Sequence, residues 1–325
     1  ETQLAVTREP VQASTPYNAF SWKHSALKGG ICGLLLSMAI LFVTALSHRT
    51  AANSEDVKKI LNLDCLSHIP YVKIKQRSSG KNSGALITTQ APDSAFCESF
   101  RLLRLKLLRK LKSNDEKVFL FTSSIPSEGK TSLAVNTALS LARDGKKVLL
   151  IDADLRNPSV KPLLDIEKSS VGLGECLSQS TDEVHFLRYK DTTLFVFAGD
   201  KAFANPTSLL RRNHMQNLIG SIRAMFDFII IDTPPCTTTA DAATLCSVAD
   251  KVVYVIRENY ALRTQISEGV QSISNNGGNI CGFVMNYCKG SSNGSGYGYR
   301  YGKYGYSKYG YGYKNYGYGY SKKKD

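Results

Sequence analysis

Apolar and polar positions fall into three regimes along the chain. From Gly29 to Ser47 the run GGICGLLLSMAILFVTALS carries no charge. At about 1.5 Å per residue it reaches roughly 28 Å as a helix, enough to cross the hydrocarbon core of a bilayer. From Lys117 onward short apolar runs alternate with mixed stretches. VFLFT (118–122), KVLLIDAD (147–154), DFIIIDTPP (227–235), DKVVYVIRE (250–258) and ICGFVMNY (280–287) are continuous and β-prone. That is the pattern of parallel strands buried on both faces. LAVNTALSLARDG (133–145) reads as a helix stopped by Gly145, and further helical stretches separate the later strands. Strand, helix, strand in this rhythm predicts an α/β fold with a doubly wound, mostly parallel sheet. From residue 291 the pattern ends: Tyr alternates with Gly, Lys and Ser, and no aliphatic residue accompanies the rings. Such a segment cannot build a core.

The pattern divides the chain into a stub (1–28), a transmembrane helix (29–47), a juxtamembrane connector (48–90), an α/β domain (91–290) and a disordered tail (291–325). A signal peptide is the rival reading of 29–47, since small residues follow it. The run is longer than the usual apolar region of about 7–15 residues, which favours a span. Lys23 and Lys28 precede it and Arg49, Lys58 and Lys59 follow, a weak orienting signal, and Trp22 is placed as an interfacial anchor. Within the connector, SEDVKKILNLDCLSHIP (54–70) predicts a short helix with Ser54 as N-cap, Val57, Ile60 and Leu61 on one face, and an end at Pro70. Gln76–Gly84 reads as a linker.

Composition narrows the function classes. Apolar residues make up 42% of 325, which excludes a wholly disordered chain. Eight Cys are too sparse for a disulfide scaffold, and no CxxC or Cys/His cluster suggests a metal centre. Lys and Arg exceed Asp and Glu by 41 to 27, a net of +14. The excess is not gathered on one helix, so no nucleic acid partner is expected. One basic block, Lys58–Lys112, follows the apolar run and suits an anionic inner leaflet, a lipid contact. The other runs from Lys289 to the C-terminus, where eight basic residues face only Asp325, a net of +7.

Candidate chemistry begins after the first strand. Ser124-Ile-Pro126-Ser127-Glu128-Gly129-Lys130-Thr131-Ser132 fits the P-loop spacing, with Ser124 where the general pattern has Gly. A tight turn feeding a helix N-terminus presents successive N–H groups to an anion. Lys130 supplies charge to the β- and γ-phosphates, and the Thr131 hydroxyl can ligate Mg2+. Two further carboxylate sites end apolar strands: Asp152-Ala-Asp154-Leu-Arg156, and Asp232-Thr-Pro-Pro. In a doubly wound sheet those ends line the ligand crevice. Any one such Asp can be a helix cap, but three beside a P-loop fit a metal and a base for a hydroxyl nucleophile. The ATP chemistry places the C-terminal side of the span inside the cell.

These three motifs together resemble the bacterial tyrosine kinases of the polysaccharide co-polymerase group. The likeness runs from about residue 10 to the C-terminus and takes in the SEDV…IP connector and AGDKAFANPTSLL (198–210). It implies a P-loop NTPase fold related to the MinD/ParA ATPases. It further implies ATP- and Mg2+-dependent tyrosine autophosphorylation in a ring of identical subunits of the inner or plasma membrane. Capsule or exopolysaccharide polymerisation and export machinery and a cognate tyrosine phosphatase are the implied partners. Carried over by position, Lys130 and Thr131 bind phosphate and metal, Asp152 and Asp154 handle metal and the attacking hydroxyl, and Asp232 helps hold Mg2+. Either Asp152 or Asp154 can be the base. MinD/ParA proteins carry a signature Lys early in the P-loop where this chain has Ile125, which favours the kinase branch.

Glu98, Arg101 and Arg104 match the family's E-x-x-R-x-x-R element. Their spacing puts them along one side of a helix, with Leu103, Leu107 and Leu111 packing inward. Such stripes are usually solvated faces, and it is the resemblance that implies a subunit contact. In the tail, Tyr297, Tyr299, Tyr301, Tyr304, Tyr306, Tyr309, Tyr311, Tyr313, Tyr316, Tyr318 and Tyr320 are the expected phosphoacceptors, against the alternative of a sticky low-complexity segment. Tyr71, Tyr260 and Tyr287 read as packing or surface residues, and Asn286 as a candidate adenine contact. Two rival functions stay open on the sequence: a MinD/ParA-like positioning ATPase, and a non-catalytic scaffold that sets polysaccharide chain length.

Overall fold

The computed structural model describes residues 22–47, 50–73, 85–167, 171–179, 186–199 and 201–289. The chain divides into two compact units, Glu1–Arg49 and Thr50–Asp325. The first contains one described helix, α1 (Trp22–Ser47). It starts before the expected span, because Trp22–Lys28 contains no helix breaker ahead of Gly29. Trp22–Thr44 is long and apolar enough to cross a membrane, and its side chains are exposed. Trp22 itself opens the helix.

The second unit is built on an eight-stranded sheet. Its helices and strands follow in chain order: α2 (Ser54–Leu61), β1 (Cys65–Pro70), α3 (Ala95–Arg109), β2 (Val118–Ser123), α4 (Lys130–Arg143), β3 (Val148–Asp152), α5 (Val160–Leu164), α6 (Leu173–Gln179), β4 (Leu187–Arg188), β5 (Leu194–Phe197), α7 (Pro206–Leu209), α8 (Arg212–Ile222), β6 (Phe228–Asp232), α9 (Asp241–Leu245), β7 (Lys251–Arg257), α10 (Arg263–Asn275) and β8 (Ile280–Cys288). Across the sheet the order is β1-β8-β7-β2-β6-β3-β5-β4. Every neighbouring pair is parallel except β4 with β5. The expected doubly wound, mostly parallel architecture is present.

Period-two alternation sorts the strand residues into two cores. On β2, Val118 and Leu120 join one face while Phe119 and Phe121 join the other. Ile229 and Ile231 against Phe228 and Ile230 do the same on β6. One layer is closed by side chains of α8, α9 and α10, the other by α3 and α4. Because β2 sits between β7 and β6, the loop that leaves it emerges at the middle of the carboxyl edge.

The connector differs from its sequence reading. Asn53, not Ser54, caps α2: its side chain accepts the Glu55 N–H at 3.1 Å. The Ser54 hydroxyl instead turns to His68 Nε2 at 2.8 Å. The helix stops at Leu61, with Asn62 left-handed at φ 52°, and CLSHIP forms β1 along β8 rather than the end of a helix. Leu66 and Ile69 are each 1% exposed, so the residues from Thr50 supply an edge strand to this unit. The expected linker overlaps 74–84, outside the described residues. Ile69→Ala is expected to cost about 2–5 kcal/mol, the range for large-to-small core changes, with Lys59→Ala near neutral. Urea unfolding followed by circular dichroism checks it, and equal midpoints would remove β1 from the core.

Candidate active site

The P-loop is the turn between β2 and α4. Gly129 is the residue before α4 and holds φ +89°, and Ser127 is left-handed at +67°. A Cβ at Gly129 would stand 2.2 Å from Asn286 Nδ2, so the position excludes any side chain. Pro126 and Ser127 are exposed at the apex. Ser124 is buried, its hydroxyl 3.0 Å from the Tyr254 hydroxyl, which lies 3.4 Å from Cys236 Sγ. Ser132 serves the helix, its carbonyl accepting from Asn136 Nδ2 at 2.8 Å. The Glu128 side chain points into the protein, not toward a ligand.

Lys130, Thr131, Asp152, Asp154 and Asp232 are brought together. Lys130 Nζ lies 3.0 Å from Asp154 Oδ2 and 3.4 Å from Thr131 Oγ1. Asp152 and Asp232 are register partners at the ends of β3 and β6. Burial opposes the Lys130 charge, but Asp232 and Asp154 outweigh it and hold the ammonium above its ordinary range. Burial raises both Asp152 and Asp232; repulsion from Asp232 adds to it at Asp152, whereas at Asp232 the Lys130 charge and the Thr131 hydroxyl offset part of the rise. Their surroundings differ. Asp152 Oδ2 accepts the N–H groups of Ser159 and Val160 at 3.0 Å, and Oδ1 that of Asp154 at 3.2 Å. Neither oxygen of the fully buried Asp232 takes a well-formed hydrogen bond.

That orphaned carboxylate fits a cation. Among the described residues no three His, Cys, Asp or Glu side chains form a metal cage. The set suits Mg2+, which keeps waters and substrate phosphates among its ligands and needs only one or two protein oxygens. Thr131 and Asp232 could hold it, with Asp152 and Asp154 nearby.

Other expected residues separate. Glu98 and Arg101 pair on the exposed face of α3 at 2.9 Å. Arg104 turns inward, bonding the Ser140 carbonyl at 2.8 Å and Asp144 at 3.0 Å, so its guanidinium is already engaged within the chain. Asn286 is likewise engaged: Nδ2 donates to the Glu128 carbonyl at 2.8 Å and Oδ1 accepts the Tyr287 N–H at 2.9 Å. It fastens the P-loop instead of presenting an edge to a base. The tail tyrosines lie outside the described residues.

Sequence reading missed two features. Arg156 donates to the buried Asp241 at 3.0 Å and to Thr207 at 3.3 Å, linking the second motif to the first turns of α9 and α7. Beside the P-loop, a cavity of about 360 Å³ is lined by Tyr71, Arg257, Glu258, Asn259, Tyr260, Tyr287 and Lys289. The Arg257 guanidinium lies 4.4 Å from the Tyr260 ring centre and 4.6 Å from that of Tyr287. These residues come from three separated segments and share no local signal.

A P-loop with a partly buried Lys, a hydroxyl and three carboxylates at or just past strand ends defines a nucleotide-dependent phosphoryl-transfer or hydrolysis site. Residues 127–280 match an AAA domain family. The chain is 34% identical over 226 residues to the tyrosine-protein kinase YwqD of Bacillus subtilis, covering 69% of this chain and 94% of YwqD. With EpsB of Ralstonia nicotianae it shares 27% over 281 residues; that stretch is 84% of this chain but only 37% of the longer EpsB. Among solved structures, the chimerical protein CapA2B2 superposes with a TM-score of 0.63 at 28% identity, covering 73% of this chain and all of that one. The chain belongs to the bacterial tyrosine-protein kinases and is an enzyme of that class.

Raised Asp152 and Asp232 keep protons that the unfolded chain has already released. Their contribution to stability therefore falls as pH rises from the ordinary carboxylate range toward neutrality. Without nucleotide, Asp232→Asn is expected to melt about 2–4 °C above wild type near pH 7.5, for roughly 1 kcal/mol, and level with it near pH 4. Calorimetry checks this, and a lower melting point at pH 7.5 would refute the uncompensated burial of the Asp232 carboxylate.

Proposed function

We propose that the chain is a membrane-anchored autokinase that transfers the γ-phosphoryl of Mg·ATP to its C-terminal tyrosines, chiefly between subunits. The observation that carries this is the convergence of Lys130, Thr131, Asp154 and Asp232 at one strand edge in a chain holding eleven tyrosines between Tyr297 and Tyr320. Lys130 leaves Asp154 for the β- and γ-phosphates and so frees a carboxylate. Asp154 then takes the phenol proton as the tyrosine oxygen bonds to the γ-phosphorus and ADP leaves with the electrons of the broken P–O bond. Asp152 is the poorer base, because three amides occupy its oxygens. Bound Mg2+ would neutralise charge on the phosphates. Asp232, buried and without a well-formed hydrogen bond, would be the carboxylate to meet that ion. The aromatic cavity seats the adenine, its faces matching the guanidinium and the Tyr rings.

Helix α1 serves as the span, with the kinase unit cytoplasmic, and the activity acts on capsule or exopolysaccharide polymerisation and export. Glu98 and Arg101, free of buried partners, form the neighbour contact better than Arg104 does. Each phosphotyrosine adds about −1.5 to −2 charges, so four or five cancel the +7 from Lys289 onward. The basic tail favours the ring, and accumulated phosphate loosens it.

Lys130→Met is expected to cut tyrosine labelling from γ-labelled ATP by about 10²–10³-fold with an unchanged circular dichroism spectrum. Replacing the eleven tail tyrosines by Phe should remove most labelling and spare ATP binding. ATP hydrolysis without labelled tyrosine would indicate a positioning ATPase, and binding without either would indicate a scaffold. Native mass spectrometry before and after ATP treatment tests the ring: smaller assemblies are expected after phosphorylation, and an unchanged one would overturn the electrostatic account.

A further inference from the structure

Glu128 is the P-loop residue whose carboxylate is spent inside the protein. Its side chain is fully buried. Oε2 accepts the Ile125 N–H at 2.9 Å, within the same loop, and Oε1 accepts the Arg257 N–H at 3.2 Å, at the end of β7. Its own carbonyl accepts Asn286 Nδ2 at 2.8 Å, near the end of β8. One residue earlier, the Ser127 carbonyl accepts the Arg257 guanidinium at 3.1 Å. The same guanidinium forms the wall of the aromatic cavity between Tyr260 and Tyr287. One side chain and two carbonyls thus join the turn after β2 to the ends of β7 and β8.

The turn needs such a brace. Ser127 holds φ +67° without being glycine, a conformation that persists only where its surroundings impose it. An ordinary loop residue at 128 would leave the partly buried Ile125 and Arg257 amides without these acceptors, which is costly.

We infer that Glu128 is a positioning residue for the nucleotide: its carboxylate sets the curvature of the phosphate cradle and locks that cradle to Arg257, so that the triphosphate and base halves of the site are placed together. The inference rests on the nucleotide reading given above.

Protonation offers a readout. Burial pushes the Glu128 carboxyl up to about 7 against the amides that lower it. Around it stand the Arg257 cation at the end of β7, Lys130 two residues on at the start of α4, Tyr254 of β7 and Cys236 of the loop after β6. Burial raises Cys236 to about 11 and Tyr254 well above its usual range, so neither titrates near neutrality. A protonated carboxyl accepts less than a carboxylate and leaves one of the two N–H groups short.

The test is equilibrium binding of a fluorescent ATP analogue with Mg2+ to the full chain in detergent, from pH 6 to 8.5. Wild type, Glu128→Gln, Arg257→Ala and the double variant are compared. Glu128→Gln is expected to weaken binding about tenfold at pH 8 while leaving kcat at saturation within about threefold. Wild-type affinity should rise with pH through about 7, and the Gln variant should show a shallower rise. Arg257→Ala should cost several-fold in wild type and distinctly less once Glu128 is Gln. Unchanged affinity in Glu128→Gln, wild-type affinity that falls with rising pH, or strictly additive losses would each overturn the inference. Wild type that binds no nucleotide would instead overturn the proposed function, and this inference with it.

Discussion

Four ionisable groups gathered at one edge of a parallel sheet set the conditions for the rest of the molecule. Asp232 and Asp154 hold Lys130 above its ordinary range against its burial, while burial raises Asp152 and Asp232, helped by Asp232 at the first and by Asp154 at the second. Charges are expensive to bury unless paired or bonded. Asp152 is satisfied by backbone amides and Asp154 by Lys130, while Asp232 is left with no well-formed hydrogen bond. The unpaired oxygens are the energetic cost of a site made ready for a cation and an anionic phosphate chain.

Such a cluster requires a rigid frame, and the sheet supplies it. Parallel strands direct all their carboxyl ends to one side. β2 delivers the P-loop between β7 and β6, while β3 and β6 deliver their terminal aspartates as neighbours. The two apolar layers on either face leave the strands little freedom to shift, since closely packed interiors transmit rather than absorb displacement. Around the cradle, Glu128, Asn286 and Arg257 extend that rigidity to the aromatic cavity.

Much of this was legible in the chain. Continuous apolar runs at 118–122 and 227–235 gave strands because burial on both faces suppresses polar alternation. Gly129-Lys130-Thr131 between a strand and a helix gave the cradle because only that local order lets amides converge on an anion. The connector was less legible: SEDVKKIL kept its helix, but CLSHIP reads as a continuation and becomes β1 because β8 offers it a hydrogen-bonding edge. Arg104 misled for a related reason. Its spacing places it with Glu98 and Arg101, yet the groove against α4 draws it to Ser140 and Asp144.

Sequence alone determined the alternation of strand and helix around the P-loop, the P-loop itself, the identity of the three aspartates and the presence of a tyrosine-rich segment, because each is written in residues close together. Tertiary structure decided which carboxylate is bonded and which is bare, that Glu128 faces inward, that Asn286 braces a loop, and that Tyr71, Arg257, Tyr260 and Tyr287 enclose one cavity. Those outcomes depend on groups from separate elements, more than a hundred residues apart for Glu128, Asn286 and Arg257, meeting where a hydrogen bond gained or missed decides the direction of a side chain.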